Sequence, residues 1–208
     1  YNADGGEAEM CGNGARCFGN FAAALLHHDK TAPLPFETMA GVVTATFEKD
    51  GNVTVNLTNP HSMQLFVLNA DPTVGADVHF LNTGVPHAVA FLDKLEDLDI
   101  SRLGAYLRYH EAFSPKGTNA NFARILSPGH IAIRTYERGV EDETLACGTG
   151  MTACALLHAV LADAPSPIQV DVAGGDTLKV GFQRTGDRFT DVTLTGPADL
   201  VFTGDIQI

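Results

Sequence analysis

The sequence predicts an α+β protein made of two related lobes. Residues 12–28 have the three- and four-residue periodicity of a helix, and residues 151–163 are rich in Ala and Leu, which predicts a second helix. The rest of the chain carries many short runs of alternating hydrophobicity. The segment EMCGNG at residues 9–14 is echoed by LACGTG at residues 145–150, and each copy opens one of the two helices. Because the copies are separated by the length of a whole domain, each lobe should present one cysteine.

The strands are predicted from period-two alternation and from the turn residues between runs. A hairpin spans residues 37–57 around the turn Lys49–Asn52, and a short helix is expected at residues 100–109. We assign residues 1–57 with 197–208 to the first lobe and residues 58–196 to the second. The remaining β-type runs are residues 78–82, 87–92, 120–125, 130–136, 168–172, 177–182, 189–195 and 199–202.

Composition argues against nucleic acid and membrane partners. The chain has 25 acidic and 13 basic residues and a formal net charge of −12, which repels phosphate backbones and anionic lipid. Its apolar runs are far shorter than the roughly 20 residues of a bilayer span, and no secretory segment is visible. We therefore expect a cytoplasmic protein that acts on a small molecule.

The four cysteines do not have the spacing of a metal site. Cys11, Cys17, Cys147 and Cys154 match no zinc pattern, and a reducing compartment favours free thiols. Cys17 and Cys154 fall inside the helices, where we expect small buried side chains. The scattered histidines are expected to be solvated or locally hydrogen-bonded, namely His27, His28, His61, His110, His130 and His158.

The two CGxG motifs suit acid–base chemistry at carbon. A cysteine at the first turn of a helix faces unpaired N–H groups and the positive end of the helix dipole, which favour the thiolate. Inversion of a tetrahedral carbon needs two such groups, one for each face. Two converging helix starts would also bind the substrate carboxylate and stabilise the carbanion. We expect no cofactor and no metal, since neither a pyridoxal-phosphate lysine motif nor a phosphate-binding loop is present.

Four segments have a recognisable pattern: NADGGEAEMCGNGARC at residues 2–17, TGVPHAV at residues 83–89, GTNANF at residues 117–122 and YERGVEDETLACGTG at residues 136–150. They resemble the diaminopimelate epimerases, which are cofactor-independent two-cysteine amino-acid epimerases. The resemblance implies two pseudo-symmetric lobes, each a mostly antiparallel sheet or barrel around a central helix, with the active site in the cleft between them. It also implies an isomerase that converts LL- to meso-diaminopimelate in lysine and cell-wall precursor synthesis.

The resemblance assigns roles position by position. Cys11 and Cys147 match the catalytic thiols, and His87 and Glu137 match the polar residues that assist them. Arg138 matches a substrate-binding residue and is suited to bidentate pairing with a distal carboxylate. The other substrate-binding positions are Asn2, Gly12, Asn13, Asn119, Gly148 and Thr149.

Several alternatives remain open at this stage. Val85 stands where many members have Asn, the loop at residues 139–143 is one residue longer than the usual form, and about sixty upstream residues of the family pattern are absent. The chain is therefore expected to be N-terminally truncated, with an incomplete first lobe. A racemase of another amino acid, and an inactive remnant or binding module, remain competing hypotheses. A homodimer and the missing N-terminal segment are the macromolecular partners under consideration.

Overall fold

The computed structural model describes residues 11–205 of the chain, and the elements below are those within this range. The helices are α1 (Gly12–Leu25), α2 (Ile100–Arg108) and α3 (Gly148–Ala162), with a 3₁₀ turn at Glu111–Phe113. The strands are β1 (Leu34–Thr38), β2 (Gly41–Phe47), β3 (Val53–Asn56), β4 (His61–Asp71), β5 (Ala76–Asn82), β6 (Pro86–Phe91), β7 (Asn119–Ser127), β8 (His130–Glu137), β9 (Asp142–Thr144), β10 (Ile168–Asp171), β11 (Thr177–Thr185) and β12 (Arg188–Gly196).

One mixed sheet connects all the described strands. Its order is β1-β2-β3-β12-β11-β10-β8-β7-β6-β5-β4, and β9 pairs with β8 at the side. Every neighbouring pair is antiparallel except β10 with β8 and β6 with β7. This architecture, with few helices and a largely antiparallel sheet, confirms the predicted α+β class.

Helix α3 is the central helix of the larger part of the sheet. It contacts β5, β6, β7 and β8 on one side and β10, β11 and β12 on the other. Consecutive residues from Thr149 to Ala159 are buried, which explains why this helix is apolar on every face. Burial on all sides fixes the direction of α3 and hence the place where it begins.

Helix α1 packs through its small residues. Gly19 lies so close to β2 that a Cβ there would come within 2.6 Å of the Ala45 Cβ. Ala15 and Ala23 are buried on the same face, whereas Phe18 and Phe21 are 49% and 60% exposed. The periodicity predicted the helix correctly, but in the described structure the large apolar residues that carried the period are not the ones that are buried.

Strand β4 was not predicted, and its backbone explains why. Ser62, Phe66 and Ala70 have positive φ angles of 57°, 57° and 43°, and the pairing of β4 with β5 shifts its register at each of them. A bulge at every fourth residue destroys the alternation by which a strand is recognised. The opposite error occurs at residues 199–202, which were predicted as a strand and have no regular secondary structure.

The division into two lobes remains a prediction. Strand β12 pairs with β3, so the sheet is continuous across the predicted boundary near residue 57. Among residues 11–205, no helix has the length and apolar character that crossing a bilayer requires.

Candidate active site

Cys11 caps the start of α1. Its backbone is extended, and its Sγ accepts a hydrogen bond from the Gly14 N–H at 3.3 Å. Cys11 therefore occupies the N-cap position, where a side chain usually satisfies one of the unpaired N–H groups of the first turn. The thiol is exposed and sits at the positive end of the helix.

Cys147 occupies the same position at α3 in a different environment. It is the N-cap residue with an extended backbone, but its side chain is buried. Burial, together with the carboxylate of Glu137 beside it, raises the pKa of the Cys147 thiol to about 12, although Thr149 and the Gly150 N–H act in the opposite direction. Cys147 therefore holds its proton at neutral pH.

Helices α1 and α3 begin close to each other. A Cβ built on Gly148 would lie 3.3 Å from the Gly12 Cα and 3.5 Å from the Gly12 backbone N. Any side chain at either position would press on the opposite backbone or on Leu194, so glycine permits this approach. The first turns of the two helices, each with unpaired N–H groups, therefore begin at adjacent points, and such groups can bind an anion.

His87 is buried beside the start of α3. Its Nδ1 lies 3.1 Å from the Asn121 Nδ2, and its Nε2 has no hydrogen-bond partner among the described residues. Complete burial, together with the positive charge of Arg138, lowers the pKa of His87 to about 3. The imidazole is therefore neutral at physiological pH.

Strand β8 and the segment before β6 support the first turn of α3. Glu137, at the end of β8, places its carboxylate against the Cys147 thiol. The Thr149 Oγ1 lies 3.5 Å from the Cys147 Sγ, and the Thr149 carbonyl accepts a hydrogen bond from the Thr83 hydroxyl at 2.9 Å. These contacts hold the helix start from two directions.

Arg138 lines a cleft of about 370 Å³. Its guanidinium lies near the Lys116 carbonyl, and Lys116 also lines the cleft, which gives the wall two cationic side chains. Gly84 and Pro86, which flank Val85, line the cleft as well. The arrangement suits an anionic group at a distance from the thiols.

Asn119 has a supporting position in this structure. Its Nδ2 donates to the Pro86 carbonyl, and its Oδ1 accepts from the Arg138 N–H at 2.8 Å. It thereby ties β6 to the segment that carries Arg138. The predicted contact between Asn119 and substrate stays a prediction.

The structure brings most of the predicted site residues into one region. Cys11, Gly12 and Asn13 start α1, and Cys147, Gly148 and Thr149 start α3. His87 and Glu137 lie beside the start of α3, whereas Asn119 bonds the backbone of Arg138. Asn2 lies outside the described residues. The prediction for Cys17 is wrong, because this side chain is exposed, whereas Cys154 is buried as expected.

Sequence reasoning missed three supporting residues. Asn121 bonds His87, Thr83 bonds the first turn of α3, and Arg16 bonds the first turn of α1. Arg16 is buried and donates to the Gly12 carbonyl, the Asn13 Oδ1 and the Pro197 carbonyl. One signal was available, since each of these polar residues lies within a motif that was already recognised.

The fold is shared with solved structures of enzymes from related classes. A phenazine biosynthesis protein of the PhzF family from Bacillus anthracis superposes with a TM-score of 0.67 at 14% identity, covering 92% of this chain and 74% of that one. A hydroxyproline epimerase from Agrobacterium vitis gives a TM-score of 0.58 at 19% identity, covering 80% and 56%. The chain therefore has the fold of these proteins, and it carries a cysteine at the start of each of two helices, α1 and α3.

Sequence comparison identifies the particular family. The diaminopimelate epimerase family model matches residues 1–63 and 79–201. A diaminopimelate epimerase of Hydrogenobaculum sp. is 43% identical over 98% of this chain and 72% of its own length, and that of Aquifex aeolicus is 42% identical over 100% and 73%. The chain belongs to the diaminopimelate epimerase family.

Proposed function

We propose that this chain is an isomerase that converts LL-diaminopimelate to meso-diaminopimelate by proton transfer between its α carbon and two thiols. The main evidence for this reaction is that α1 and α3 begin close together at Gly12 and Gly148, and that each helix has a cysteine at its N-cap position. Family membership supports the substrate, since the relatives are named for it. The reaction belongs to lysine and peptidoglycan precursor synthesis.

The two cysteines divide the proton transfer. Cys11 as thiolate removes the α proton, and the electron pair remains on the α carbon, whose charge spreads into the adjacent carboxylate. Cys147, which holds its proton at neutral pH, returns one to the opposite face. The converging N–H groups stabilise the charge that develops on the carboxylate, so the chain's own dipoles supply the electrostatic assistance.

Selectivity for a diamino dicarboxylate follows from the cleft beside Arg138. A guanidinium pairs with a carboxylate in a bidentate geometry, and Lys116 adds a second positive charge. A monocarboxylic amino acid leaves this wall without a partner. This favours the dicarboxylate over the proline derivatives considered as an alternative, and the family match points the same way.

The proposal extends to compartment and assembly. Two working thiols require a reducing environment, which supports the cytoplasm. Large apolar side chains are exposed on α1 and on the β1–β2 hairpin, and such side chains favour contact with a second copy of the chain, which supports a homodimer: Phe18, Phe21, Leu25, Met39 and Val42. Sedimentation tests this, and binding of an added upstream peptide in trans would assign the surface to that segment.

Solvent exchange tests the chemistry directly. The protein in D₂O should incorporate deuterium at the α carbon of LL-diaminopimelate, and both Cys11→Ala and Cys147→Ala should reduce turnover by at least about 10³-fold. Cys17→Ala is the matched control, because this thiol is exposed on the same helix and is expected to leave turnover unchanged. Undiminished inversion of LL- to meso-diaminopimelate in either catalytic variant would refute the two-thiol assignment, whereas exchange without inversion is a reaction that the remaining thiol can still perform on its own face.

A further inference from the structure

We propose that Asn121 is a positioning residue that fixes His87 in its neutral Nε2–H tautomer, so that His87 acts as a hydrogen-bond donor to the bound substrate. The inference rests on the proposed function for its role, but the tautomer itself is a property of the protein alone. The orientation of the buried Asn121 amide determines the tautomer.

The side-chain amide of Asn121 has one orientation that satisfies its neighbours. One of its terminal atoms lies 3.0 Å from the Ala88 carbonyl oxygen, which only accepts hydrogen bonds. That atom must be Nδ2, because an oxygen there would face another oxygen. The other terminal atom, Oδ1, accepts from the Thr135 hydroxyl at 3.0 Å, and both residues are buried.

This orientation determines the proton position on His87. Nδ2 carries two hydrogens, and the second is directed at the His87 Nδ1 at 3.1 Å. A donor facing Nδ1 requires that nitrogen to be an acceptor, so the single proton of the neutral ring resides on Nε2. The tautomer thus follows from the three hydrogen bonds of the Asn121 amide, which join it to Ala88, Thr135 and His87.

Helix α3 holds the amide in place. A Cβ on Gly150, in the first turn of α3, would collide with the Asn121 Oδ1 and would lie 3.4 Å from the Cys147 Cβ. The hydrogen-bonded pair of Asn121 and His87 is therefore packed directly against the start of α3, where Cys147 is the N-cap residue. Gly150 provides the space that Asn121 needs.

The Nε2–H group is left for a ligand. It is completely buried and has no acceptor among the described residues, a state that costs about 1–3 kcal/mol unless a ligand supplies a partner. Arg138, whose positive charge contributes to the low pKa of this ring, lines the cleft proposed for an anionic substrate group. A neutral Nε2–H can donate to such a group but cannot remove a proton through that nitrogen.

The ¹⁵N NMR spectrum of the histidines tests the tautomer without any substrate. The His87 signals, identified by their absence in His87→Gln, should show a protonated Nε2 and an unprotonated Nδ1. The reverse assignment in the parent protein would overturn the inference even if the enzyme is active. Conversely, an inactive parent with the expected tautomer would refute the proposed function and leave the assignment of the tautomer standing.

Asn121→Asp tests the consequence. A carboxylate at this position accepts rather than donates, so it should move the proton to Nδ1 and reduce kcat by about 10²-fold with little change in KM. Asn56→Asp is the matched control, because Asn56 lies on β3 and its Oδ1 accepts from the Thr44 N–H, a bond that a carboxylate retains. Unchanged turnover in Asn121→Asp would overturn the positioning role, and the NMR assignment tests the tautomer if this variant does not fold.

Discussion

Gly12 and Gly148 face each other at the starts of the two helices, with the place of a Gly148 Cβ only 3.3 Å from the Gly12 Cα. Each glycine directly follows an N-cap cysteine. The separation of these two backbones therefore sets how far apart the thiols and the first-turn N–H groups are. That separation determines whether one substrate carbon can contact both sulfurs.

Gly148→Ala should reduce activity more than stability. The added methyl must displace the Gly12 backbone or Leu194 by a few tenths of an ångström, which widens the gap between the helix starts. Since small misplacements of reacting groups are costly, kcat should fall about tenfold while the free energy of unfolding changes by about 1 kcal/mol. Steady-state kinetics and urea titration measure both. Gly129→Ala is the control, because a Cβ there meets nothing within 4 Å, and an equal effect on kcat would contradict the account.

Gly150→Ala should act on His87 indirectly, through the Asn121 amide. The methyl would collide with the Asn121 Oδ1, so the amide must move and its bonds to His87 and Thr135 weaken. Overpacking of this kind costs about 1–3 kcal/mol, and kcat should fall with it. Thermal unfolding and kinetics measure the two effects. A variant with unchanged kcat would show that the Asn121–His87 hydrogen bond is not needed for turnover.

Acid should destabilise the protein through His87. Burial and Arg138 lower the His87 pKa from 6.5 to about 3. Between these values the unfolded chain binds the proton and the folded chain does not, so stability is lost as pH falls below 6.5. Relative to His87→Gln, the parent should lose about 2 kcal/mol of unfolding free energy between pH 7 and pH 5. Urea titrations at both pH values measure the difference, and a constant difference would mean that His87 is not buried in neutral form.

Arg16 should contribute to stability through the first turn of α1. Arg16→Met removes hydrogen bonds to the Gly12 carbonyl, the Asn13 Oδ1 and the Pro197 carbonyl from a buried position. Bonds of this charged kind contribute about 1.5–3 kcal/mol, and we expect a loss of that order. Arg102→Met is the control, since this side chain is 62% exposed and lies 3.8 Å from Asp99. Equal denaturation midpoints for the two variants would exclude the anchoring role.

Sequence reasoning found the strands whose alternation is uninterrupted and the helices that follow the two CGxG motifs. Helix α3, the hairpin of β2 and β3, and strands β7 and β8 lie within a few residues of their predicted bounds. Strand β4 was missed because left-handed residues at 62, 66 and 70 interrupt its alternation. The packing face of α1 was also missed, because close approach to β2 selects Gly19 and Ala15 rather than the large apolar residues.

The candidate site was predictable to the extent that its residues lie in recognisable motifs. The CGxG repeats located both thiols at helix starts, as observed. The contrast between an exposed Cys11 and a buried Cys147 beside Glu137 was not predictable, because it depends on how β8 packs against α3. Asn121 was missed for the same reason, since only the fold brings its amide to His87 and Gly150.

The most direct measurement is a crystal structure of the protein with diaminopimelate bound. The Sγ atoms of Cys11 and Cys147 should lie on opposite faces of one α carbon, each about 3–3.5 Å from it, with the substrate carboxylate at the two helix starts. A substrate carbon that meets only one of the two sulfurs, or sulfurs that open into separate pockets, would contradict the account.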